Sequence, residues 1–230
     1  MTIQDGSKIA SWTLRGIGGC GMGTALDVLR CGAPEDLGPL DAHFAEMSRR
    51  DVADWTPFIA DERDRLKGLD PQAPFQLFNL GSEQVTEGAA RQPLVGMYHT
   101  RQQLFAPEEK LTSLFQRLMQ VRQGNMYTFS LNGGTGGGVG PTLVAARRNR
   151  GSSHLAITVF DSIPFSGANR VGGPQEFGRV AHFGNNLVAF VRANAYADLV
   201  ILVENRVDYL EGESSPFRLS ADYRQYVVGK

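Results

Sequence analysis

Short apolar, β-branched or aromatic runs punctuate this chain, and each is followed by a glycine or polar turn and then a longer helix-compatible stretch. That order points to parallel strands joined by crossover helices, because a parallel neighbour is reached only through a long return connection. The pattern predicts strands at Ser11–Leu14, Trp55–Ala60, Phe75–Leu80, Met126–Leu131, His154–Phe160 and Asp198–Val203. Helices are expected at Gly23–Arg30, Pro107–Gln123, Thr142–Asn149 and Gln175–Ala193, the second of which opens on proline and two glutamates. The stretch Cys31–Asp54 has little amphipathic regularity and reads as helix and loop. The fold class is α/β: a Rossmann-like three-layer fold, with a mostly parallel sheet and helices on both faces.

Composition narrows the function. A chain of 230 residues, 42% hydrophobic and 20% charged, buries a sizeable core and fits one large domain. Its formal net charge of -1 supplies no phosphate-neutralising field, so no nucleic-acid partner is expected, and Arg147, Arg148 and Arg150 read as a solvated helix end. Two cysteines, Cys20 and Cys31, suit a reduced cytoplasmic protein better than a disulfide-stapled one. The first residues lack the basic and apolar regions of a signal peptide, and runs such as Leu199–Val203 are too short for a membrane span.

The strongest chemical signal is Asn132-Gly133-Gly134-Thr135-Gly136-Gly137-Gly138-Val139-Gly140-Pro141, placed between a predicted strand and a helix-like stretch. Glycine has no β-carbon to hold a ligand away from the backbone, so such a loop brings bare N–H groups against a polyphosphate, and Thr135 adds a hydroxyl donor. The plain alternative is a flexible connection. A second loop of the same kind, Gly16-Ile17-Gly18-Gly19-Cys20-Gly21-Met22-Gly23, joins the first strand to the first helix. Alone it is also compatible with a dinucleotide fingerprint, which calls for an acid about 20 residues on at the end of the second strand. Asp41 has that distance but follows no strand-like run.

The long glycine run resembles the tubulin/FtsZ signature GGGTG, with Asn132 in place of the first glycine, and the first loop resembles the first phosphate loop of that superfamily. Thr86–Gly96 resembles its loop facing the γ-phosphate and matches the pattern GAGxxPxVG at Gly88, Ala89, Pro93, Val95 and Gly96. The resemblance extends through Ile157–Gly167, where Ser166 replaces the FtsZ glutamate beside the ribose, and Ala197–Tyr209, with Asn205 followed four residues later by Tyr209. It ends at Pro216–Asp222, similar to the start of the superfamily's central helix.

The resemblance implies a GTP/GDP site holding Mg2+. The backbone of Gly18, Gly19, Cys20, Gly21 and Met22 would surround phosphate with Asn132, Gly133, Gly134, Thr135, Gly136 and Gly137. Ala89, Ala90, Arg91 and Gln92 would face the terminal phosphate, Arg91 being either a bidentate donor or a solvated side chain. Pro164 and Arg170 would border the ribose. Asn205 would read the guanine edge, or simply end a strand in a turn. Phe217 would stack on the base and Asp222 meet its edge, unless they are a core ring and a first-turn helix acid. Asp61 or Glu62 would reach magnesium, directly or through water, or cap the next helix.

The implied activity is assembly-linked GTP hydrolysis, with filaments in which one subunit presents a catalytic acidic loop to its neighbour's nucleotide. Residues 1–230 read as the nucleotide-binding domain alone, ending in the central helix, with no catalytic residue of their own. Either a truncated piece or a single-domain relative fits this reading. The alternatives are a non-polymerising nucleotide-binding regulator or adaptor, and a Rossmann oxidoreductase that binds NAD(H).

Overall fold

The computed structural model describes residues 12–31, 40–66, 75–82, 88–90, 92–105, 114, 116, 118, 124–147, 152–160 and 174–204. Six strands, β1 (Trp12–Ile17), β2 (Leu40–Glu46), β3 (Phe75–Asn79), β4 (Gly124–Ser130), β5 (Ser153–Phe160) and β6 (Leu199–Glu204), form one sheet in the order β3-β2-β1-β4-β5-β6. Every neighbouring pair is parallel. The helices α1 (Gly18–Cys31), α2 (Arg49–Leu66), α3 (Pro93–Phe105), α4 (Gly134–Arg147) and α5 (Pro174–Tyr196) alternate with the strands.

Alternation along the strands sends side chains to two separate cores. Leu14, Ala42 and Phe44 meet Met22, Leu26 and Leu29 of α1 and Trp55 and Ile59 of α2. On the other face Ile17, Ala45, Tyr127, Phe129 and Ala156 meet Val139, Leu143 and Val144 of α4 and Ala189 and Ala193 of α5. The three-layer α/β expectation is therefore correct.

Two elements differ in type from the sequence reading, and the helices expected from Gly23 and Thr142 begin earlier, at Gly18 and Gly134, so most of both glycine runs is helical. Trp55–Ala60, expected as a strand, lies inside α2. Its aromatic and β-branched residues look strand-like in a short window, but Val52, Trp55 and Ile59 recur at helical spacing, and Trp55 and Ile59 are buried while Phe58 is 41% exposed. Conversely β2 lies in the stretch read as helix and loop. Its alternation is obscured because both faces are buried and each carries a polar residue, His43 on one and Glu46 on the other, so no continuous apolar run marks it. A further helix, α3, begins at Pro93, where the missing N–H costs no helical hydrogen bond. The expected helix Pro107–Gln123 lies outside the described residues apart from Leu114, Gln116 and Leu118, which are helical.

The helix–sheet contact that places the site is the approach of α1 to β1 and β4. A β-carbon at Gly21 would stand 2.2 Å from the Thr128 carbonyl oxygen, and one at Gly16 would stand 2.9 Å from the Met22 α-carbon. Thr128 Oγ1 donates to the Gly21 carbonyl at 2.7 Å and lies 3.2 Å from that of Arg15, tying helix to strand. Gly21→Ala is expected to cost about 3 kcal/mol or more, as overpacking against backbone does, read as a lowered urea midpoint with the m-value unchanged.

Candidate functional site

The strand order reverses direction between β1 and β4, which makes their carboxyl ends the topological switch point of the sheet. Helix α1 starts there at Gly18, directly after β1, and α4 starts at Gly134, four residues after β4. The Ile17↔Phe129 register sets the two strand ends side by side. A β-carbon at Gly18 would stand 2.9 Å from the Gly136 nitrogen, so the two helix N-termini touch. Gly18 also has φ +74°, a conformation that favours glycine. Each terminus carries amides without an intrahelical acceptor and the positive end of a helix dipole. Two such ends together form a concentrated anion-attracting surface.

The third loop docks on the same edge. Gly88 packs on Ser48, and a β-carbon at Gly134 would stand 2.7 Å from that of Ala89. Ala90 is a non-glycine residue at φ 47°, and Gln92 donates its backbone N–H to the Ala89 carbonyl at 2.7 Å before α3 begins. Strain of this kind is held only where the surroundings over-determine the backbone.

Burial separates the candidates. Gly19, Cys20, Asn132 and Gly133 are partly open to solvent, and Ala90 and Gln92 are exposed. Gly21, Met22, Ala89, Gly134, Thr135, Gly136 and Gly137 are buried. Several of these glycines are demanded by packing, since a β-carbon at Gly137 would meet the Leu131 carbonyl oxygen at 2.2 Å and one at Gly138 the Pro93 carbonyl oxygen at 2.3 Å. Gly19 is different. Among the described residues a β-carbon there would meet only Trp55 Nε1, at an ordinary 3.5 Å, so packing among them does not demand glycine.

Sequence reasoning missed Glu46, the last residue of β2. It is 4% exposed, and its Oε1 accepts hydrogen bonds from Thr135 Oγ1, from the Met47 N–H at 2.7 Å and from the Ser48 N–H at 3.3 Å. Burial pushes its carboxyl above the usual range, and those three donors, Thr135 first, pull the other way. The missing signal was the strand: once β2 is in place, an acid at its carboxyl end stands beside the glycine loops.

The magnesium assignment of Asp61 and Glu62 does not fit. Both lie three turns along α2, which leads away from the crevice. Glu62 is buried and paired with Arg30, 3.2 Å away, and with Arg65, whose Nη2 also donates to the Leu29 carbonyl near the end of α1. It pins the far ends of two helices. Among the described residues no group of three or more His, Cys, Asp or Glu side chains is placed to hold a metal ion. Arg91, Pro164, Arg170, Asn205, Phe217 and Asp222 lie outside the described residues.

No protein-family model matches the sequence, and no curated protein matches it. Solved structures do match. CetZ2 from Haloferax volcanii, in a GTPγS-bound protofilament, superposes with a TM-score of 0.59 at 17% identity, covering 89% of this chain and 52% of that one. This is the tubulin/FtsZ fold. CetZ1 from the same organism, a GDP-bound monomer, gives 0.60 at 17% identity over 89% of this chain and 54% of its own. An empty FtsZ dimer from M. jannaschii gives 0.59 at 16% identity over 95% and 52%. The chain thus spans about half the length of these tubulin/FtsZ structures. Among the described residues no helix is long and apolar enough to cross a membrane.

Two variants test these assignments. Glu62→Ala leaves two arginines without their buried partner and is expected to cost about 1–3 kcal/mol by thermal denaturation, with nucleotide affinity unchanged. Glu46 carries the opposite pH sign to a paired surface acid. Because its folded-state carboxyl titrates above the unfolded one, the folded state binds more protons between the two values, and stability falls as pH rises through that window. The stability of Glu46→Gln relative to the native protein should therefore rise from acid to neutral pH, in urea titrations across that range. A difference that shrinks toward neutrality would contradict the assignment.

Proposed function

We propose that the chain binds a guanine nucleotide with its phosphates over the joined N-termini of α1 and α4, as the nucleotide-binding half of an assembly-linked GTPase. The observation that carries this is the contact of those two helix ends at the switch point, with Gly19 open beside it. The GTPγS-bound and GDP-bound states of the CetZ neighbours support the ligand class. Phosphate would meet the backbone of residues 18–22 and 132–137, and the loop 88–92 would border its terminal group. Pro164, Arg170, Asn205, Phe217 and Asp222 are proposed, from the sequence resemblance, for ribose and base. Magnesium would accompany the phosphates. The place of Asp61 and Glu62 three turns along α2, and the pairing of Glu62 with Arg30 and Arg65, argue against them as its ligands.

Hydrolysis, on this reading, needs an acidic loop from a neighbouring subunit to orient water, so the chain alone turns over slowly and filaments form in response to GTP. The CetZ protofilament favours assembly. The departures at Asn132 and Ser166 favour the second reading, a nucleotide-binding regulator that does not polymerise. A dinucleotide reading gains an acid at the end of β2, but Glu46 directs Oε1 to Thr135 and the backbone rather than holding it free for ribose hydroxyls.

Calorimetric titration of GTP, GDP, ATP and NAD+ into the protein decides between ligand classes. Guanine-selective binding is expected, weakened by Asn205→Ala, and Gly19→Ala should lower affinity about tenfold or more with no loss of thermal stability, because a methyl there fills ligand space and not protein space. Trp55 fluorescence, beside Gly19, should change on binding. Preference for NAD+, or no binding by the folded protein, would sink the proposal. Light scattering with GTP against GDP then separates an assembling GTPase from a regulator.

A further inference from the structure

Glu46 and Thr135 belong to elements that are not neighbours in the sheet. β2 and β4 flank β1 on opposite sides, so a hydrogen bond donated by the second residue of α4 to the residue that ends β2 passes over the end of β1, where α1 begins. The acceptor is buried and its Oε1 is shared with the Met47 and Ser48 amides, which fixes the carboxylate in one orientation. Thr135 is 7% exposed, and its hydroxyl has one hydrogen, which is directed to Glu46.

Resting on the nucleotide reading above, we propose that Glu46 is a positioning residue. It clasps the α4 N-terminus in place beside that of α1 and takes the hydroxyl hydrogen of Thr135, so that the polyphosphate is held by main-chain amides and not by that hydroxyl. The reason such a clasp is useful is geometric. One polyphosphate must satisfy amides from two helices anchored on different strands, and binding weakens if their spacing has to be corrected when the ligand arrives. The clasp sets that spacing in the ligand-free protein. It also corrects the simplest reading of the glycine run, in which Thr135 is a phosphate donor.

A double-mutant cycle on GTP affinity tests this. Glu46→Ala and Thr135→Val should each weaken binding about tenfold, the order expected for a hydrogen bond to a charged group, and the double variant should be no weaker than either. Glu46→Gln, whose amide oxygen can accept the same hydrogen bonds, and Thr135→Ser should stay within about twofold of the native protein. In the ligand-free protein, Thr135→Val should speed hydrogen exchange at the Met47 and Ser48 amides, a change that loss of a direct phosphate donor would not produce and that can be read even if Glu46→Ala fails to fold. Additive losses, or a Thr135→Val defect with native exchange at Met47 and Ser48, would overturn the clasp while leaving the nucleotide reading intact. A native protein that binds no guanine nucleotide would overturn both.

Discussion

The close approach of α1 to the paired strands β1 and β4 is the constraint on which the rest of the structure depends. Gly16 and Gly21 let a helix backbone lie against strand backbone without side chains between them, and Thr128 bonds across the junction. Only at that spacing does the α1 N-terminus sit low enough to meet the first turn of α4. A larger residue at either glycine would lift α1 from the sheet and separate the two amide clusters. The glycine-rich composition of the site is thus first a packing requirement, and among the described residues Gly19 is the member that packing leaves unexplained.

Charge is distributed to match. The carboxyl edge of the sheet gathers two positive helix ends and a buried carboxylate, Glu46, whose desolvation is offset in part by the hydroxyl and amide donors around it. The opposite end of α1 and α2 is held by Arg30, Arg65 and Glu62. Acids of one chain segment therefore serve different ends of the same layer. Glu46 organises the edge where a ligand would lie, and Glu62 fastens the edge where none is expected.

Much of this was legible in the sequence. Strand, glycine turn and helix recur in an order that allows little but a parallel α/β sheet, and the glycine runs at 16–23 and 132–141 mark the two turns that meet at the switch point. What stayed hidden followed from burial on both faces of β2, which erases alternation, and from a local window at Trp55–Ala60 whose β-branched and aromatic content imitates a strand while its longer spacing is helical. The error at β2 propagated: without that strand, Glu46 had no reason to stand near Thr135, 89 residues away in sequence.

The sequence by itself determined the layer architecture and the places of the two glycine runs after strands, because periodicity and glycine placement are local properties of the chain. Tertiary structure alone decided which glycines packing demands and which it does not. It also decided which acid lies at the site and which way the Thr135 hydroxyl points. Those depend on distances between strands β2, β1 and β4, set by sheet order and helix–sheet contact rather than by any neighbouring residue.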